Sequence, residues 1–172
     1  MKSFHTIVVF LFCLSSMILA QESEKMDKKL KFLIGEWESI SINHNKGTKS
    51  TGNSAVKWII DKKWLQWKFT AQLESGPIEV LTLINYNDKK KQYAFYSFNP
   101  FDDEPLPHYG NWLNENTLRL KIKTKDKETW IDFCIKKNGN FDQIHSSISS
   151  SGERIIKSTT SYLKTNPQKS AL

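Results

Sequence analysis

Leu118-Arg119-Leu120-Lys121-Ile122-Lys123, the turn residues Lys125-Asp126-Lys127, then Ile131-Asp132-Phe133-Cys134-Ile135-Lys136 and Asn138-Gly139 form the stretch that decides the fold. Apolar and polar residues alternate one by one in both runs, with Cys134 counted outward. A period of two puts one set of side chains on a buried face and the other in water, which is the signature of half-buried strands. Asn138-Gly139 accepts the positive φ of a tight hairpin turn and is the strongest such signal in the chain.

The same grammar extends in both directions. Asn45-Lys46-Gly47, Ser75-Gly76-Pro77, Asn87-Asp88-Lys89, Asn114-Glu115-Asn116 and Ser151-Gly152 are turn chemistry at intervals of roughly ten residues. The segments between them predict ten strands, at 36–44, 50–59, 63–73, 78–86, 92–98, 108–113, 117–123, 128–136, 141–148 and 153–163. Asn99 to Pro107 breaks the rhythm. Pro100, Pro105 and Pro107 cannot donate to a ladder, so this is the longest loop and is placed to lie over an opening. Ten sequential antiparallel strands leave two sheet edges, and closing the sheet removes them. The expected fold is therefore all-β: a single antiparallel up-and-down barrel. A barrel of this size either fills with side chains or holds one small ligand.

Two segments stand outside the barrel. Met1-Lys2, the apolar run Ile7 to Leu14 and Ser15 to Ala20 have the layout of a secretory signal peptide, with cleavage expected after Ala20. Cys13 lies inside the apolar run behind Phe12, which argues against lipidation. Glu24 to Leu33 reads as a short N-terminal helix, with Met26, Leu30 and Leu33 on one face and Gly35 just past its end. The domain organisation is then a removed signal at 1–20, one barrel domain at 21–164 and a flexible polar tail at 165–172. No later segment is long and apolar enough to cross a membrane as a helix.

Composition narrows function by exclusion. The chain has 172 residues and a formal charge of +7, but only Arg119 and Arg154 among its 25 basic residues are arginine. The lysines are scattered, and lysine lacks the planar fork that nucleic-acid readers use, so a solvated basic surface is expected and no nucleic-acid partner. Cleavage would leave Cys134 alone, so the mature domain is held by its core rather than by an intrachain disulfide. Export without a disulfide fits a bacterial periplasmic or extracellular protein.

Leu30-Lys31-Phe32-Leu33-Ile34-Gly35-Glu36-Trp37, a short helix running into Gly-x-Trp, resembles the opening of lipocalin-like (calycin) barrels. There the tryptophan plugs the closed end of the barrel and the glycine lets the chain turn in. From about Leu30 to Leu163 the chain is similar to a bacterial family known as domain of unknown function 1579. The further marks are Asp61-Lys62-Lys63-Trp64-Leu65, and Leu83-Ile84-Asn85-Tyr86-Asn87 followed by Lys91-Gln92-Tyr93. Members usually carry Gly-Tyr-Asp where Asn85-Tyr86-Asn87 stands, and a glycine-rich turn where Asp61-Lys62-Lys63 stands. The resemblance implies a barrel with a cavity and no particular reaction.

Candidate site residues follow from the aromatics. In strand 63–73, Leu65, Trp67, Phe69, Ala71 and Leu73 share the inward face. In strand 92–98 parity alone leaves Tyr93 and Phe95 in competition with Tyr96 and Phe98. The expected ligand-binding set is Trp67, Phe69, Tyr93 and Phe95, with His108, Tyr109 and Trp112 near the mouth beneath the proline-rich loop. Good strand residues also make good core filler, so a solid barrel with an interacting outer surface is the alternative. Enzyme signatures such as Gly-x-Ser-x-Gly, His-Glu-x-x-His and Cys-x-x-Cys are absent. No cofactor and no metal is expected. Haem, held by His108 or His145, is the minor alternative, although the company of Ile144 and Ile148 on the opposite face places His145 toward solvent. A metal-dependent hydrolase centred on Asp102-Asp103-Glu104 and His108 is a further one. The function expected is an exported, non-enzymatic protein that holds a small apolar or amphipathic molecule.

Overall fold

In a computed structural model, residues 29–73, 75–123 and 128–165 are described. The expected signal at 1–20, the expected helix up to residue 28 and the tail from 166 lie outside them. Within the span expected for it, the described residues form one 3-10 turn, Lys31–Leu33.

Ten strands follow: β1 Gly35–Asn43, β2 Thr48–Ile59, β3 Trp64–Leu73, β4 Gly76–Asn87, β5 Gln92–Phe98, β6 Leu106–Asn114, β7 Thr117–Lys123, β8 Glu128–Ile135, β9 Phe141–Ile148 and β10 Arg154–Lys164. Each pairs antiparallel with the next, and β10 returns to pair with β1, so the sheet is a closed barrel. Every expected strand is present: 92–98, 117–123 and 141–148 match at both ends, and the others have ends displaced by at most two residues.

Small residues allow the sheet to close tightly. A Cβ on Gly110 would stand 1.8 Å from the Arg119 carbonyl oxygen of the neighbouring strand, so only glycine fits that crossing. Bulges interrupt β6 between Trp112 and Asn114, and β10 between Ile156 and Ser158. The second one shifts the alternation, so Arg154 faces outward while Thr160 and Tyr162 face inward.

The two ends of the barrel differ. The end where β1 begins is packed solid. Trp37 is buried, its ring meets Phe141 edge-on at 4.9 Å, and its indole N–H donates to the Leu33 carbonyl at 2.8 Å. Phe32 bridges Phe141 at 5.5 Å and Trp112 at 5.8 Å, and Phe141 stacks on Tyr162 at 4.5 Å. Leu65, Ile84, Leu118 and Tyr93 complete this buried layer. Edge-to-face and stacked rings at these separations add to the burial of their large apolar area. The opposite end carries the 44–47, 149–153 and proline-rich 99–105 connections, and the interior beneath it is hollow.

The outer wall has its own organisation. Asp132 is buried on the outside of β8, where Arg119 grips it through two hydrogen bonds of 2.7 and 2.8 Å and Arg154 adds a third at 2.8 Å. Trp130 lies over this group, 4.2 Å from the Arg119 guanidinium. Burial pushes the Asp132 carboxyl up, but the two guanidiniums together outweigh it and hold it below the usual carboxylate range.

Candidate functional site

Inward parity on nine strands places side chains around a cavity of about 510 Å³. Its floor is the aromatic layer. Trp67 sits 5.4 Å from the Tyr162 ring and 5.9 Å from Phe133, and Phe95 lies 5.6 Å from Phe133. The walls above are Phe69, Val80, Leu106, Leu120, Ile122 and Ile131, while Asn99, Phe101 and Asp102 form part of the rim. Asn99 shapes that rim: its side-chain oxygen accepts from the Phe101 backbone N–H at 2.9 Å, and its amide donates to Asp102. The proline-rich loop therefore does border the opening, with Phe101 71% exposed at its tip.

The expected residues divide into three groups. Trp67, Phe69, Phe95 and His108 line the cavity. Tyr93 points inward but belongs to the solid layer, against Tyr86 at 5.1 Å. Trp112 also points inward, yet it packs on Phe32 at the closed end, far from the mouth expected for it. Tyr109 faces outward, edge-on to Tyr96 at 6.3 Å and beneath the Lys90 ammonium. Adjacent residues on a strand cannot share a face, so once His108 is inward Tyr109 must be outward.

His145 corrects the sequence expectation. It lines the cavity rather than meeting solvent. Phe141 sets the parity of β9, because its completely buried ring is wedged between Trp37 and Tyr162. Gln143 and His145 must then follow it inside, and Ile144 takes the outer face opposite Asp132. A hydrogen-bonded chain results: the Tyr162 hydroxyl donates to Gln143 Oε1 at 3.0 Å, and Gln143 Nε2 lies 2.9 Å from His145 Nε2. Burial and the neighbouring His108 push His145 down to about 4. Burial likewise lowers His108, against the pull of the Leu106 and Phe95 carbonyls. Both imidazoles are neutral at pH 7. Gln143, Tyr162 and Thr160 were not anticipated as site residues; the signal for the first two was the parity of Phe141 and of β10 beyond its bulge.

Other candidate chemistry does not assemble. Asp102 is at the rim, while Asp103 and Glu104 border an outer depression with Glu79, and no group of three or more metal-ligating side chains forms among the described residues. Cys134 is half-buried on the outer face, and burial with the nearby Asp132 and Asp142 carboxylates raises its thiol, so it stays protonated and unreactive. A wider depression of about 780 Å³ on the outside of β1–β4 is edged by Glu38, Thr51, Asn53, Gln72 and Glu79, which are ordinary solvated strand residues. Compared with models of known protein families and with curated proteins, the chain matches none.

Proposed function

We propose that this chain is an exported, non-enzymatic, lipocalin-like binding protein that holds one small apolar or amphipathic molecule inside its barrel. The observation that carries the reading is the cavity itself. At about 510 Å³ it falls within the ~300–1,000 Å³ range of small-molecule sites, and it pairs apolar walls with a few convergent polar groups. Burial of a ligand's apolar surface supplies the driving force, at roughly 25 cal/mol per Å². The buried Trp37 plug and the positive φ of 132° at Gly35 support the lipocalin-like element of the reading. The charged start, apolar run and Ala20 boundary of the first twenty residues support export, to a bacterial periplasm or the outside.

Haem carriage is the second reading, and it gains from His108. Its Nδ1 lies 3.0 Å from the Leu106 carbonyl, the partner arrangement that fixes a ligating imidazole with the Nε2 lone pair free. Haem addition to the purified protein tests it: a shifted Soret band that His108→Ala abolishes supports it, and a free-haem spectrum ends it. The primary reading is tested with the uncharged probe N-phenyl-1-naphthylamine. Saturable fluorescence enhancement with energy transfer from Trp67, lost in Ile131→Lys, is the expected result. Enhancement that is unaffected by Ile131→Lys or by Leu120→Lys, or none at all, refutes it.

A further inference from the structure

The electrostatics of the cavity go further than its shape. The chain has 25 lysines and arginines, yet among the described residues none lines the cavity. The one formally charged side chain in the lining is Asp102, exposed at the rim and bonded to Asn99. Below the rim every polar group is neutral: Thr82 paired with Ser97 at 3.0 Å, Ser41 paired with Thr160, Gln143, Tyr162 and the two histidines.

Hydrogen bonds assign the imidazoles their roles. A carbonyl oxygen only accepts, so His108 Nδ1 carries the proton toward Leu106 and Nε2 keeps its lone pair. Gln143 Oε1 is occupied as an acceptor by Tyr162, so its amide nitrogen donates to His145 Nε2, and His145 holds its proton on Nδ1. The pair presents one acceptor and one donor.

Resting on the carrier reading, we propose that the cavity selects uncharged amphiphiles whose hydroxyl or amide end both donates and accepts at His108 and His145, and rejects anionic and cationic amphiphiles of equal chain length. A carboxylate entering this wall leaves its hydration behind and finds no cation. An ammonium does the same below the rim, where no carboxylate lines the wall, and at the rim Asp102 is already engaged by the Asn99 amide.

Displacement of bound N-phenyl-1-naphthylamine from the purified protein at pH 7.5 tests the selection, with 1-decanol, decanamide, decanoate and decylammonium as competitors. The alcohol and the amide are expected to displace the probe at concentrations at least tenfold below either ion. Decanoate or decylammonium competing as well as 1-decanol overturns the selection while leaving the carrier reading intact. Failure of the probe to bind overturns the carrier reading and this inference with it. His145→Leu supplies the second arm: a cooperative urea transition followed by far-UV circular dichroism reports the folded barrel, and 1-decanol affinity, corrected for the variant's own probe affinity, weakens about fivefold, the effect of one neutral hydrogen bond. Unchanged 1-decanol affinity in that variant overturns the assigned role of the histidine.

Discussion

Truncating Phe141 and Phe133 separately distinguishes a barrel that is solid at one end and hollow at the other from one packed evenly throughout. Phe141 is completely buried and meets five rings, those of Phe32, Trp37, Trp67, Tyr162 and Phe133, at 4.5 to 6.2 Å. Phe133 meets three, those of Trp67, Phe95 and Phe141, and its remaining side borders the cavity. A Phe→Ala change in a core costs about 3–5 kcal/mol, and the cost tracks how many neighbours are left facing a void. Phe141→Ala belongs at the top of that range, about 5 kcal/mol. Phe133→Ala belongs at the bottom, about 3 kcal/mol, because one side of its ring had no partner to lose. With a urea slope of about 2 kcal/mol per M, the midpoints fall by about 2.5 M and 1.5 M respectively. Equilibrium urea unfolding followed by tryptophan fluorescence and by far-UV circular dichroism reads both. Equal losses, or a larger loss at Phe133, would refute the reasoning, since an evenly filled interior penalises the two alike.

Three further outcomes follow from the same geometry. Gly110→Ala forces a Cβ into the Arg119 carbonyl, so the β6–β7 ladder should not close and cooperative unfolding should be lost; a variant with a wild-type midpoint contradicts the close approach. Asp132 has a folded pKa below its ordinary value, so its network stabilises fully above the ordinary carboxylate range and is lost as pH falls through the lowered value. Asp132→Asn should therefore flatten the acid limb of a stability–pH curve below about pH 4, and an unchanged limb removes Asp132 as its source. His145, held down to about 4 against an ordinary 6.5, leaves the unfolded chain to bind the proton first, so as pH falls between those values stability drops by about 1.4 kcal/mol per pH unit. His145→Gln should abolish that slope in urea midpoints taken from pH 7 to pH 4.5; an equal slope in the variant assigns it elsewhere.

Strand number, antiparallel order and closure were legible because alternation and turn chemistry are local signals, strongest at Leu118–Lys123 and Asn138-Gly139. The inward face of β3 was legible for the same reason, and Trp67 and Phe69 line the cavity. What failed was parity judged by hydrophobicity alone. On β9 the isoleucines looked like core, but Phe141 decides the face through its packing with Trp37, a residue about a hundred positions away in sequence. Ile144 then covers the outer ion-pair cluster instead. The mouth position expected for Trp112 failed differently: loop proximity along the chain says nothing about which end of a strand a residue occupies. Trp112 sits at the far end of β6 from the proline-rich loop. The bulge after Ile156 was invisible because nothing local requires it. Only the pairing of Arg154 with Asp132 across the outer wall shows what it achieves.

Methyl-resolved NMR with 1-decanol bears most directly on where a ligand sits. A hollow upper barrel predicts that the methyl signals of Leu106, Leu120, Ile122 and Ile131 shift saturably and show contacts to the decanol chain, while those of Ile144 and Ile156 on the outer wall stay in place. Shifts confined to Ile144, Ile156 and their outer-face neighbours, or no shift at all, would mean that nothing enters the barrel.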